Sequence, residues 1–350
     1  MKKTLVSLSV TTLLAMLSGQ NALAAVSEPE PSAAPPAQCD LTFATGPKGK
    51  GYSVFHGNYK AVCPQVPTCE VNSEGGLENA SLLIEKKADI ALMGVNTLKT
   101  LLDKDDAYKS LQVVASLHSN ILHVVTLSAG IEVPGPMVPG PMVKNPKFQK
   151  WNVLDKEPEM IPGPQVPGPA TRIQIGKFSD LKGRTIGVVG SAQLLARQLD
   201  RNAGHGMEFV DYETDAAAIT ALKAGKVQGV MTMAAWPHGY LKGLKPDFGV
   251  KLVTYDLAPM PPFAVMKKGY KNLGQYTLDF LAEPNILVTR AFTPGGPNAK
   301  NVAAVKSCIG ANLPALKDGK YEPAWSEVVD MNQTFGLPAF SGAPKAPAKK

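Results

Sequence analysis

Short apolar strands and amphipathic helices alternate along this chain, in two separate runs. Leu41 to Thr45 is β-prone, Tyr52 to Val62 has helical spacing, Cys69 to Ser73 is a second strand, Glu78 to Lys87 a second helix, and Ile90 to Met93 a buried third strand. Parallel strands cannot be joined by hairpins and need crossover helices, so a βαβαβ order predicts a sheet covered on both faces. A helix at Thr97 to Asp103 and strands at Gln112 to Ser116 and Leu122 to Leu127 follow. The order then restarts: strand Arg184 to Val189, helix Ser191 to Ala203, strand Met207 to Tyr212, helix Asp215 to Ala224, strand Gln228 to Thr232 and a short helix Trp236 to Leu241. Lys251 to Asp256 and Phe263 to Lys267 read as strands, and Tyr276 to Leu281, Val302 to Ala311 and Trp325 to Met331 as helices. The expected fold class is α/β with two lobes: residues 40–127 plus 255–340, and residues 128–254. A return near Thr254 gives two crossings, which would act as a hinge.

The ends of the chain are of another kind. Met1-Lys2-Lys3 is basic, Leu5 to Leu17 is apolar, and Ala22-Leu23-Ala24 has the small-x-small pattern of a cleavage site, so residues 1–24 are expected to be a signal peptide. The expected location is the periplasm. Residues 25–39 and 341–350, rich in Pro, Ala and charge, are expected to be a flexible leader and tail. Five of the charges behind the formal +7 are Lys2, Lys3, Lys345, Lys349 and Lys350, which leaves the body near +2. Its lysines are scattered and not interleaved with aromatic residues, so no nucleic-acid partner is expected.

Four cysteines in an oxidising compartment allow three disulfide pairings. Local closure around Pro64 to Thr68 favours Cys63 with Cys69, leaving Cys39 for Cys308. Between Gly130 and Thr171 the motif Val-Pro-Gly-Pro or Ile-Pro-Gly-Pro occurs four times, at 133, 138, 161 and 166, around a polar stretch that holds Trp151. Proline removes donors, so residues 130–171 cannot be a helix or a central strand. Extended polyproline-like arms are expected, as solvated decoration or as a docking arm for a periplasmic protein.

In a doubly wound lobe, ligands collect at the carboxyl ends of parallel strands, where helix N-termini present free N–H groups. Four segments fall there. In Thr45 to Tyr52, Gly49 and its neighbours admit a ligand to the backbone, Lys48 favours an anion and Tyr52 opens the helix; Lys and Ser or Thr do not follow Gly51, so this is not a phosphate-binding Walker loop. In Asn72 to Asn79, Gly75 and Gly76 allow close approach, while Glu78 and Asn79 start a helix, an acidic first turn that also suits the helix dipole by itself. In Gly190 to Gln193, Ser191 either caps a helix or meets the ligand, with Gln193 beside it. In Ala234 to Gly239, Trp236 offers an aromatic wall and Pro237 suits a first helical turn. Asn96 and His118 complete the set. No metal-ligand spacing, nucleophile elbow or zinc-protease helix is present, so no catalytic residue, metal or cofactor is expected, and the chain reads as a binding protein for a small molecule and not as an enzyme.

With those residues named, the chain resembles the TRAP-associated extracytoplasmic immunogenic (TAXI) solute receptors over roughly Leu41 to Met331, apart from the Pro-Gly insertion. The pieces are the glycine turn before Tyr52, Ser73-Glu-Gly-Gly-Leu-Glu-Asn79, Lys87-Ala-Asp-Ile-Ala-Leu-Met93, Asp180-Leu-Lys-Gly-Arg-Thr-Ile-Gly187, Ala221-Leu-Lys-Ala-Gly-Lys-Val-Gln-Gly229, Ala235-Trp-Pro-His238 and Leu287-Val-Thr-Arg290. The resemblance implies a type II periplasmic binding protein fold with an interlobe cleft lined by Tyr52, Gly76, Glu78, Asn79, Ser191, Trp236 and Pro237. It also implies a small acidic ligand and delivery to a TRAP-type membrane permease. Where the family usually shows further small residues after Gly190-Ser191, this chain has Ala192-Gln193-Leu194.

Overall fold

A computed structural model describes residues 39–147 and 160–342. The segment expected as a signal peptide, almost all of the expected leader, the Trp151 stretch and the last eight residues lie outside the described residues. Leu41–Ala44 (β1), Thr68–Val71 (β2) and Ile90–Gly94 (β3) are parallel with β1 in the middle, joined by helices Gly51–Val62 (α1) and Gly76–Ile84 (α2). Every residue of β3 is buried, as a strand covered by helices on both faces requires. Helix Val95–Lys104 (α3) leads to a long strand, Leu111–Leu127 (β4).

Beyond β4 comes the Pro-Gly insertion, and it corrects an expectation. Ile131–Val133 (β5) pairs with Thr171–Ile173 (β8), and Met137–Lys144 (β6) with Met160–Pro167 (β7), all antiparallel. The expected polyproline-like arms are thus a β-ribbon, the first motif lying against the fourth and the second against the third. The glycines explain why. A Cβ on Gly140 would strike the Pro164 carbonyl and one on Gly163 the Pro141 carbonyl, with Gly135 and Gly168 in the same relation to Pro169 and Pro136. Both strands are edges, where proline is tolerated, and the register shifts on either side of Gly140.

The second run then repeats the first. Thr185–Val189 (β9) lies between Glu208–Tyr212 (β10) and Gly229–Ala234 (β11), all parallel, connected by helices Ala192–Ala203 (α4) and Asp215–Lys223 (α5). Helix α4 buries Ala192, Leu195, Ala196 and Leu199, one helical stripe, and ends on left-handed Gly204; Thr214 caps α5 by accepting from Ala217 N. After Gly239–Lys242 (α6) come strand Val250–Leu252 (β12), which pairs with β4, strand Ala264–Tyr270 (β13) and a second long strand, Gln275–Arg290 (β14), which pairs with β13; Pro297–Leu316 (α7) closes the order. The large sheet runs β10-β9-β11-β4-β14-β3-β1-β2. Each half is three parallel strands with the first in sequence at the centre, bounded by an antiparallel long strand, and β4 and β14 pair with each other between them. The fold is α/β, with two like halves joined through two shared strands.

Several elements differ from expectation. The two strands expected within 112–127 are one, β4. Tyr276 to Leu281, expected as a helix, belongs to β14, and of the helix expected at Trp325 to Met331 only a 3-10 turn, Pro323–Glu327, exists. The core is divided in the same way as the sheet. Phe43, Phe55, Tyr59 and Trp325 pack in half one, and Phe178, Leu195, Met231 and Tyr255 in half two. Tyr255, Phe263, Tyr270 and Phe280 all pack with half two.

The disulfides are Cys39–Cys69 and Cys63–Cys308, not the expected Cys63–Cys69. Parallel pairing sets Thr42 opposite Cys69 and so brings the start of β1 to β2, leaving Cys39 and Cys69 with Cα atoms 5.5 Å apart. Cys63 ends α1 and meets Cys308 on α7, 6.0 Å between Cα atoms. Sheet register and helix packing, not loop length, decide the pairing.

Candidate functional site

The polar centre of the molecule sits where β4 and β14 cross from one half to the other. Tyr52, in the first turn of α1, donates its hydroxyl to Asn285 Oδ1 at 2.7 Å and accepts from Asn120 Nδ2 at 3.1 Å. Asn120 also donates to Asn285 Oδ1 at 3.1 Å, and Asn285 Nδ2 meets His118 Nε2 at 3.0 Å. His118 is stacked on Phe55 at 4.2 Å, and burial lowers its pKa to about 3, so it is neutral. Its Nδ1 has no hydrogen-bond partner. Glu283 lies beside them, 4% exposed, and accepts from Asn96 N at 2.8 Å. Burial raises the Glu283 pKa to about 7 against the opposing pull of the Asn96 and Thr97 N–H groups. Tyr52 is raised as well, by burial first and then by the Glu283 charge.

A second cluster belongs to half two. His123 Nε2 meets Tyr270 Oη at 2.8 Å, the same hydroxyl accepts from His238 N at 2.6 Å, and His238 Nε2 stands 3.4 Å from Asp215 Oδ2. Because His238 Nδ1 accepts from Tyr240 N, its proton is on Nε2, facing Asp215 and Thr232. Burial alone would raise Asp215; bonding to His238 and Thr232, and the charge of Lys50, hold it below the usual carboxylate range. Lys50 comes from the glycine turn of half one. The glycine turn of half one therefore lies near the start of α5 in half two, and Lys268 of β13 bonds Glu327 at 2.6 Å.

Trp236 stands at this boundary. Its indole Nε1 is buried without a partner, Lys268 Nζ lies 4.6 Å from its ring centroid, and the adjoining cavity of about 370 Å³ is bordered by Lys267, Lys271 and Tyr276. Pro237 follows it outside a helix, since α6 begins at Gly239 behind His238 and not at Pro237.

The other candidates from sequence fall into separate groups. Lys48 and Gly49 are exposed on the turn, where Gly49 takes φ 73° and its N–H donates to Ser53 Oγ. Gly75 takes φ 118°, and Gly76 lies against Met93, where a side chain would crowd it. Glu78 accepts from Glu74 N, which closes its own turn. Asn79 is fully buried and spans two strands through Thr45 O and Leu92 O, with Ser73 donating to its Oδ1. Through these bonds it fastens the end of β1 to β3. Ser191 precedes α4 without the side-chain cap expected of it, and Gln193 contributes through its backbone, accepting from Arg197. Neither meets the central cluster.

Sequence reasoning missed Asn120, Glu283, Asn285, Asp215 and Tyr270 as site residues. One signal was present: Glu283-Pro284-Asn285 interrupts an apolar run between Phe280 and Val288.

No family model matches the chain, and no curated protein matches it in sequence. Among solved structures it is similar to an arginine third transport system periplasmic binding protein from Legionella pneumophila, at 13% identity over 83% of this chain and 100% of that one, TM-score 0.43. It is similar also to the amino acid ABC transporter substrate-binding protein AbpA from Streptococcus pneumoniae bound to L-arginine (11% identity, 83% and 95% covered, TM-score 0.47). An ancestral arginine-binding protein bound to arginine gives 15% identity, 82% and 97% covered and a TM-score of 0.45. Identities and TM-scores this low carry neither ligand nor partner over to this chain.

Proposed function

We propose that the chain is a non-catalytic periplasmic receptor that takes a small organic acid between its two halves and delivers it to a TRAP-type membrane permease. The observation that carries the reading is the gathering of buried polar side chains on the two strands that join the halves, with the Lys50 turn of half one near Asp215 of half two. Tyr52, Asn120, Asn285 and His118 bond one another, and His118 Nδ1, on a ring stacked against Phe55, is the buried polar atom left unpartnered to meet a polar solute. Lys48 and Lys50 on the turn, and Lys267, Lys268 and Lys271 around the cavity at Trp236, favour an acidic one. The resemblance to TAXI receptors supports the same class of ligand and permease. A thermal-shift panel of carboxylates, amino acids and sulfonates tests it: one class should raise the melting temperature of wild type, and Trp236→Ala should abolish that rise. A panel without a stabilising member contradicts the proposal.

A second reading rests on the ribbon. Met137, Val138, Met142, Val143, Met160 and Val166 are all exposed on β6 and β7, an apolar surface that a solute receptor does not need. In this reading the ribbon docks a periplasmic partner, and the chain is an accessory or sensor subunit. Deleting Gly135 to Pro167 separates the two: a receptor keeps its solute affinity, whereas an accessory subunit loses its copurifying partner.

A further inference from the structure

Lys268 and Glu327 come from opposite halves. Lys268 lies on β13 between Met266 and Tyr270, whose side chains pack with half two, and Glu327 ends the turn Pro323–Glu327, whose Trp325 packs in half one. Their ion pair is 2.6 Å long, with side chains only 19% and 9% exposed. The other Lys or Arg pair this enclosed among the described residues, Arg290 with Asp89 at 2.9 Å, joins β14 to the start of β3 and stays within half one. Both Glu327 oxygens are buried without a hydrogen-bond partner, so Lys268 is what balances their charge. Lys268 Nζ also lies 4.6 Å from the centroid of the Trp236 ring, and the chain at that ring straddles the halves: Trp236 packs on the core of half two and Ala235 on that of half one. A second pair of opposite charges acts nearby. Burial raises the pKa of Glu322, just before the turn, and the charge of Lys242 in α6 opposes that rise. The turn itself is firmly mounted: Trp325 Nε1 and Glu322 N both donate to Asn58 Oδ1 on α1, and Trp325 is stacked at 3.9 Å on Phe55, which is stacked in turn on His118.

We infer that Lys268 and Glu327 form a clasp between the halves: the pair, braced by Trp236 on one side and by the Trp325 turn on the other, favours the closed arrangement and comes apart when the halves separate. The inference rests on the receptor reading above and adds to it the element that sets the balance between open and closed. An ion pair suits that role. Both charges are hydrated once the halves part, which offsets much of the attraction lost, so the pair biases the equilibrium without locking it. Solute affinity then depends on how often the clasp is shut, because a receptor binds in proportion to its competent population.

The test needs no solute. Glu327→Gln and Lys268→Met are made in the full chain carrying spin labels at Lys60→Cys on α1 and Lys226→Cys between α5 and β11, and dipolar distances are compared with those of the labelled wild type. Each substitution should move population to a broader, longer-distance component, raising the ratio of open to closed about tenfold or more, since breaking an enclosed pair leaves one charge without its partner. The double variant leaves neither charge stranded, so it carries the test if a single variant does not fold. It should open the protein about as much as either single change and not by their product, because one interaction is lost in all three. Unchanged distances in the double variant, with only the melting temperature altered, mean a pair that stabilises one fixed arrangement and overturn the inference; independent, multiplying effects of the two single changes overturn it as well. A solute panel without a hit sinks the receptor reading and leaves these distances as they are, whereas a panel with hits does not rescue a clasp whose loss moves nothing, so the two ideas fail separately.

Discussion

The halves of the sheet share one strand order and are held together in different ways. Half one is stapled twice: Cys39–Cys69 ties β1 to β2, and Cys63–Cys308 ties α1 to α7. Its own strand-end helix, α3, is closed by Glu283. Half two contains no cysteine and extends the Pro-Gly ribbon into solvent. The same topology can thus be a fixed platform or an adaptable one. In this molecule the first run supplies the platform, and the second carries the parts free to vary.

The largest test of that contrast is Cys308→Ser. The bond it removes spans 245 residues, for which chain entropy suggests a loss of about 5.5 kcal/mol. Denaturant unfolding should show the loss, and hydrogen exchange should show α1 and α7 opening before β9 to β11. Opening of half two first would break the comparison.

Next is the pH dependence of Glu283. Its folded pKa, about 7, is above its ordinary value of 4.5, so its contribution to stability is complete below pH 4.5 and is lost as pH rises through about 7. Glu283→Gln removes that loss, so its stability relative to wild type should increase by about 3 kcal/mol across this window. His118 acts with the opposite sign: its folded pKa is lowered, so its stability is lost as pH falls from 6.5 toward about 3. It is common to both proteins and drops out of the difference. A gap that stays flat with pH would show that Glu283 is not the buried group described.

Tyr52→Phe removes one donor and one acceptor from the crossing and should cost about 1–2 kcal/mol by thermal unfolding, with a parallel loss of solute affinity. Deleting Gly135 to Pro167 comes last, at under about 0.5 kcal/mol, because the paired strands of the ribbon leave their side chains in solvent. A larger loss would mean that the ribbon supports half two.

The sequence made much of this architecture legible, and its failures have physical causes. Strands β1, β3, β9 and β11 and helices α1, α4 and α5 stand out because a buried parallel strand reads as an apolar run and its crossover helix as a stripe. Strand β14 did not, because Pro284 argues against a central strand and only pairing with both β3 and β4 shows the irregular register around it. Tyr52 and His118, both candidates from sequence, lie in the central polar cluster. Asn120, Glu283 and Asn285 were not candidates, since their roles arise where two strands distant in sequence meet. Asn79, a candidate from sequence, engages its amide with Thr45 O, Leu92 O and Ser73, contacts that sequence alone does not show. The Pro-Gly motifs announced an insertion, but their antiparallel pairing depends on reciprocal Gly and Pro contacts that one motif alone does not reveal.

The central claim is that two halves joined by β4 and β14 bend over a solute bound at the crossing. All four cysteines are paired, so Lys60→Cys on α1 and Lys226→Cys between α5 and β11 can carry spin labels. Dipolar distance measurement, with and without the best-stabilising carboxylate of the panel, should give a distribution that narrows and shifts when solute is added. Superimposable distributions at saturating solute would contradict the account.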